Sequence, residues 1–160
     1  INAARYAIPE EPSEVVASAH QPADDPRFRE VPESVTFTLR YPSGVLAHCD
    51  CSFGTAESRC YRVHCAEGSI EMDPAFSYRG LQLHVFEGDT KKGTGRKSRL
   101  LIPEVNHFAA EMDHFSQCIL QGKDPRTPGS MGLADLRIVS AIDHAAKTGQ
   151  VVRLDGSSGG

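Results

Sequence analysis

Ser34-Val-Thr-Phe-Thr-Leu-Arg-Tyr41 and Val45-Leu-Ala-His-Cys-Asp-Cys51 are two alternating runs joined by Pro42-Ser43-Gly44. In the first, Val35, Phe37, Leu39 and Tyr41 recur at every second position and so share one face of an extended chain. In the second, Val45, Ala47, Cys49 and Cys51 fall on one side, and Leu46, His48 and Asp50 on the other. The spacing predicts an antiparallel hairpin with one face turned toward a core.

Upstream, residues 1–8 read as the end of a helix, stopped by Pro9 and Pro12. Glu14 to His20 reads as a strand, and Gln21 to Pro32, with three prolines among charges, as a loop. Downstream, strands are expected at Cys60 to Ala66, Ser69 to Asp73, Leu81 to Glu87 and Ser98 to Ile102. Pro74 to Gly80 and Gly88 to Gly95 are the connections between them. From Glu104 the period changes: Val105, Phe108, Met112, Phe115 and Ile119 step by three and four toward Gly122. A second helix is expected from about Met131 to Lys147, with Leu133, Leu136, Val139, Ile142 and Ala146 inward and Gly149 beyond its end. Val151 to Leu154 closes as a short strand. Strands followed by two helices define an α+β fold: an open, mostly antiparallel β-sheet with helices packed on one face. The other face, carrying Leu46, His48, Asp50 and Phe86, is expected to be half apolar and to serve as a subunit interface. Residues 1–154 read as one domain and 155–160 as a flexible tail.

A length of 160 residues suffices for one domain with a real core. The net charge of −4 and the scattered Lys and Arg argue against nucleic acid as a partner. Lys91-Lys92 and Arg96-Lys97 cluster in a Gly-rich turn, where a solvated loop explains them. No apolar run is long enough to cross a bilayer. The chain opens at Ile1 without a start Met, and its first residues already read as helix, as expected of a segment from a longer chain. Five cysteines are an odd number for a disulfide framework and point to a reducing compartment. The cytoplasm is the expected location, with the periplasm as the alternative.

Cysteine and histidine crowd two segments, His48-Cys-Asp-Cys51 and Cys60-Tyr-Arg-Val-His64-Cys65. Zinc needs four ligands converging from tight turns, whereas these lie along strands and alternate between faces. Small buried sheet residues are therefore expected, and no metal site. There is no G-x-S-x-G elbow, no G-x-G-x-x-G and no Walker sequence. Gly93-Thr-Gly95 sits in a polar turn before a strand rather than a helix. Asn106 and His107 stand at the entry to the first long helix, positioned to cap it or to face a ligand cleft. His114 and His144 read as surface residues of the helices.

Several segments, taken in order, resemble the glucose–fructose oxidoreductase (Gfo/Idh/MocA) family. They are Pro42-Ser-Gly-Val-Leu-Ala47, Cys65-Ala-Glu-Gly-Ser-Ile-Glu-Met-Asp-Pro74 and Asn106-His-Phe-Ala-Ala-Glu-Met-Asp-His-Phe115. Gly132-Leu-Ala-Asp-Leu-Arg-Ile138 and Ala145-Ala-Lys-Thr-Gly-Gln-Val-Val152 complete the set. Ile1-Asn-Ala-Ala-Arg-Tyr6 with Glu11-Pro12 is similar to the helix that follows the family's catalytic motif.

The resemblance implies the C-terminal domain of a two-domain enzyme whose Rossmann domain, with the catalytic Lys, lies outside this chain, as do the catalytic His or Tyr, expected two positions before Ile1, and its Asp. NAD or NADP would bind that missing domain, and none would bind this chain alone, which is then inactive by itself. This domain would form the wall of a cleft for a sugar-like substrate, with hydride passing between nicotinamide and a sugar or polyol carbon. Carried over by register, the substrate contacts are Thr55 and Glu57, sharing a strand face that Arg59 continues, then Asn106 and His107. The family also implies a homodimer or homotetramer formed through the open sheet face. The alternative class is a non-catalytic module of the same fold that serves assembly or protein binding.

Overall fold

The computed structural model describes residues 1–89 and 92–154. Lys91 and the expected tail at 155–160 lie outside the described residues. In chain order the elements are α1 (Asn2–Ala7), β1 (Glu14–His20), a 3-10 turn (Pro26–Phe28), β2 (Ser34–Arg40), β3 (Leu46–Ser52), β4 (Tyr61–Cys65), β5 (Gly68–Met72), β6 (Leu83–Asp89), β7 (Thr94–Leu100), α2 (His107–Gln121), α3 (Gly129–Thr148) and β8 (Val152–Arg153). The α+β class holds, and the strands divide into two antiparallel sheets, β3-β2-β1-β8 and β4-β5-β6-β7. They belong to two compact units: Ile1–Thr55 together with the segment from Thr127, and Ala56–Arg126.

In the first unit the hairpin has the expected register, with Leu39 opposite Ala47 and Phe37 opposite Cys49. Leu39 also faces Val15 of β1. Leu39, Tyr41, Val15 and Ala17 meet Ile138, Ala141, Ile142 and Ala145 of α3 to make the core. The inward face of α3 differs from the expected one: Leu133, Leu136 and Val139 are exposed, while Ile142 alone of the large expected residues is buried. Two alanines explain the choice. Ala141 and Ala145 lie on the buried side, and small residues let the helix backbone approach the sheet closely, which a Leu stripe would prevent.

Arg5 ties α1 to α3. Its Nη1 donates to Asp135 Oδ1 at 2.7 Å and to the Met131 carbonyl at 3.2 Å, while Nε and Nη2 donate to Glu11 at 2.7 and 2.5 Å. The Glu11 hydrogen bonds, outweighing partial desolvation and joined by Asp135, raise the guanidinium pKa further above its ordinary value. Opposite α3, the open face of this sheet is more polar than expected. Its rows are Glu14–Arg40–Leu46, Val16–Thr38–His48 and Ser18–Thr36–Asp50, in which Val16 and Leu46 are the apolar members. Strict alternation sends Phe37 and Leu39 inward and leaves Thr, Ser and His outward. Thr38 Oγ1 and His48 Nδ1 are hydrogen-bonded across it at 3.0 Å.

In the second unit one sheet face carries Val63, Ile70, Val85, Tyr61, Met72 and Leu83. The other carries Arg62, Glu71 and His84 in one row and His64, Ser69, Phe86 and Lys97 in the next. Phe86 thus sits among charges, and its ring lies over Gly95, where a Cβ would strike it. Glu71 pairs with Arg62 and, at 3.9 Å, with Lys97, so its carboxyl is held below the usual range chiefly by the Arg62 hydrogen bond.

The helix α2 starts and stops at sequence-legible signals. Asn106 Oδ1 accepts the Ala109 N–H at 3.1 Å, and Gly122 ends it in the left-handed region at φ 61°. Its expected inward stripe is instead exposed, from Phe108 and Phe115 through Met112 to Ile119, and Cys118 is its buried residue. The 3.6 period dictates a helix, but not what covers it. His114, expected on the surface, is half-buried: its Nε2 accepts the Arg126 N–H at 3.0 Å and anchors the segment after the helix.

Candidate functional site

Residues 56–60 form no strand; β4 begins at Tyr61. Thr55, Glu57 and Arg59 therefore do not share a strand face, and Thr55 closes the first unit while the other two belong to the second. The expected alternation is replaced by a local pair, Arg59 Nε to Glu57 Oε1 at 2.5 Å. Both side chains are largely solvent-exposed, so the pair positions the segment more than it stabilises it, contributing at most about 1 kcal/mol. The Arg59 carbonyl also accepts the N–H of Ala75, a fully buried residue, at 2.5 Å.

That bond ties the 56–60 stretch to Pro74–Gly80, which was expected only to connect two strands. The segment is closed at its base by Asp73 N–H to Gln82 O at 3.0 Å and Gln82 N–H to Pro74 O at 3.4 Å. Phe76 sits at φ 57°, the left-handed region that a bulky residue enters only at a cost of about 1–3 kcal/mol. Its ring is 5.7 Å from that of Tyr61. Tyr78 lies 5.1 Å from Phe108 and 6.0 Å, edge-on, from His107.

The 74–80 segment thus meets two of the expected site stretches, 57–59 through Arg59 and 106–107 through His107. Among the described residues no hydrogen bond or ion pair joins Glu57 or Arg59 directly to Asn106 or His107. Sequence reasoning passed over Phe76 and Tyr78. The available signal was two aromatics within Pro74-Ala-Phe-Ser-Tyr-Arg-Gly80, a short connection in which large apolar groups are costly to expose. Asn106 uses its carbonyl oxygen for the helix cap, which keeps its amide nitrogen as a donor. The site offers donors, an imidazole, a carboxylate–guanidinium pair and ring faces. It offers no activated nucleophile.

The cysteines are not the buried sheet residues expected. Cys51, Cys60 and Cys65 are exposed, Cys49 is half-buried and Cys118 alone is buried. Alternation places Cys49 on the inner face opposite Phe37, and burial pushes its thiol pKa up. Cys51 shares that face but lies toward the end of β3 and is exposed. Among the described residues no three His, Cys, Asp or Glu side chains are grouped to hold a metal ion.

A dinucleotide needs a Gly-rich turn leading into a helix N-terminus. Gly93-Thr-Gly95 leads instead into β7, and Gly95 lies beneath the Phe86 ring. Among the described residues this glycine pair does not supply such a turn.

The architecture defines the class first: it is that of a domain found in solved oxidoreductases. An oxidoreductase domain protein from Kribbella flavida superposes with a TM-score of 0.79 over 97% of this chain and 48% of that one, at 16% identity, a likeness of fold alone. Residues 1–71 match the GFO/IDH/MocA C-terminal domain. The chain is similar to the aldose–aldose oxidoreductase of Caulobacter crescentus, at 39% identity and a TM-score of 0.87, over 96% of this chain and 44% of that one. It is also 28% identical to the NADP(+) D-xylose 1-dehydrogenase of Haloarcula marismortui, over 97% of this chain and 41% of that protein. The chain spans about two fifths of the length of these relatives.

Proposed function

We propose that the chain is the substrate-side and assembly domain of an NAD(P)-dependent oxidoreductase that passes hydride between nicotinamide and a sugar or polyol. The observation that carries this reading is the 39% identity over 96% of the chain to an aldose–aldose oxidoreductase. The nicotinamide would be held by a Rossmann domain outside these residues. Here Thr55, Glu57, Arg59, Asn106 and His107 would contact sugar hydroxyls: Glu57 accepting, Arg59 and the Asn106 amide donating, and His107 doing either according to its tautomer. Such groups bind and orient. The proton transfers belong to residues outside the chain.

Two measurements test the reading. The full-length protein should reduce NADP+ or NAD+ with D-xylose or D-glucose, whereas the 160-residue chain alone should give no saturable heat when titrated with either nucleotide. No turnover with any aldose or polyol would overturn the enzyme reading in favour of a non-catalytic assembly module.

Assembly would proceed through the open sheet faces, as a dimer or tetramer. A two-fold pairing buries a face against its own copy and closes. About 1,600 Å² in total is typical of such an interface. Sedimentation at micromolar concentration should give a dimer or larger, and Leu46→Glu should shift it toward monomer. Leu46 is the better probe than Phe86, because the Phe86 ring also covers Gly95 within its own sheet. A wild-type chain that sediments as a monomer throughout would overturn the assembly proposal.

A further inference from the structure

Three groups of exposed apolar residues stand out. For the α2 stripe of Met112, Phe115 and Ile119, and for the second sheet's largely half-buried apolar face with Ile70 exposed, nothing in the structure identifies what covers them. The third group is different in kind. Phe76, Tyr78 and Phe108 are 60%, 65% and 58% exposed, yet each is held against another ring, Phe76 against Tyr61 and Tyr78 against Phe108 and His107.

Two features show that this arrangement is built. The backbone of Phe76 is kept in a strained left-handed conformation, which a bulky residue holds only when its surroundings impose it. The segment is pinned on both sides, by Ala75 to the Arg59 carbonyl and by the closure at Asp73, Pro74 and Gln82. An exposed ring fixed this way keeps its face available without first losing rotamer freedom on binding. Polar groups border the rings: the phenol of Tyr78 and the imidazole of His107, which Asn106 precedes in the chain as the helix cap.

We infer that Tyr78, with Phe108 beside it, is a stacking platform for the C–H face of an aldose ring, whose hydroxyl edge meets His107 and Asn106. An aldose has one face of C–H bonds carrying partial positive charge and a rim of hydroxyls. An aromatic π face is negative, so it attracts the first and leaves the rim to hydrogen-bonding groups. A protein partner would favour the aliphatic stripes; a small amphipathic ring fits a small patch of rings edged with donors and acceptors. The inference rests on the sugar-oxidoreductase reading above and adds to it the residues that recognise the ring.

The test is steady-state kinetics of the full-length protein with D-xylose and NADP+, comparing wild type, Tyr78→Ala and Tyr78→Phe. Losing one stacked ring is expected to raise the KM for D-xylose roughly three- to tenfold. The KM for NADP+ and the Tm should change little, because Tyr78 is largely exposed and a ring stacked on the sugar holds no part of the nucleotide. Tyr78→Phe keeps the ring and should restore the KM to within about twofold of wild type. An unchanged KM in Tyr78→Ala overturns the platform while leaving the enzyme reading intact. A raised KM that Tyr78→Phe fails to restore overturns stacking in favour of a hydroxyl contact. Absence of wild-type turnover overturns both.

Discussion

Leu39→Ala is expected to destabilise the first unit by about 3–4 kcal/mol. Leu39 is fully buried at the centre of the inner face, between Val15 on β1 and Ala47 on β3. It packs in one cluster with Ile138, Ala141 and Ile142 of α3. Truncation removes the transfer free energy of three carbons and leaves a cavity that strands on both sides cannot close, because their ladder spacing is set by hydrogen bonds. Urea unfolding followed by far-UV circular dichroism should show a lower midpoint at constant m value, and Tm should fall by about 10 °C. Leu39→Met, which nearly conserves volume, should cost less than about 1.5 kcal/mol. A loss below about 1 kcal/mol in the alanine variant would show that α3 does not seal this face.

Gly68→Ala should be comparably damaging for a different reason, costing about 3 kcal/mol. Gly68 opens β5 opposite Cys65 and Glu87, and a Cβ there would land against the backbone carbonyl of Phe86. A side-chain neighbour would rotate away; a carbonyl fixed in the β5–β6 ladder can yield only by separating the strands. Gly132→Ala is the control. Gly132 lies within α3, a Cβ there would meet nothing within 4 Å, and the change should stabilise by up to about 1 kcal/mol through helix propensity. Thermal melts of both variants give the answer together. Equal, small effects would mean that the close strand approach at Gly68 is absent.

The contrast between those two glycines illustrates what was legible. Nothing in the local sequence distinguishes Gly68 as a packing constraint, since the carbonyl it must avoid comes from Phe86, 18 residues later. By comparison, Gly122 and Gly149 end their helices in the left-handed conformation, as their positions after apolar stripes predict.

The sequence by itself determined what depends on neighbours along the chain. Period-two alternation set the β2–β3 hairpin and its register, because a slip of one residue would turn Phe37 and Leu39 to water. Asn106 and the steps of three and four set α2, because capping and helical facing act within a few residues. The order of segments carried the family resemblance. Only the tertiary structure decided which surfaces meet. It placed Ala141 and Ala145, not Leu133 and Leu136, against the sheet, since close approach there favours small side chains over large ones. It divided the strands into two sheets, and it left 56–60 irregular with Arg59 bonded to Ala75. It also raised Pro74–Gly80 from a connection to the element joining Arg59 to His107. These contacts link residues far apart in the chain, and their free energy comes from packing and hydrogen bonding that no local pattern encodes.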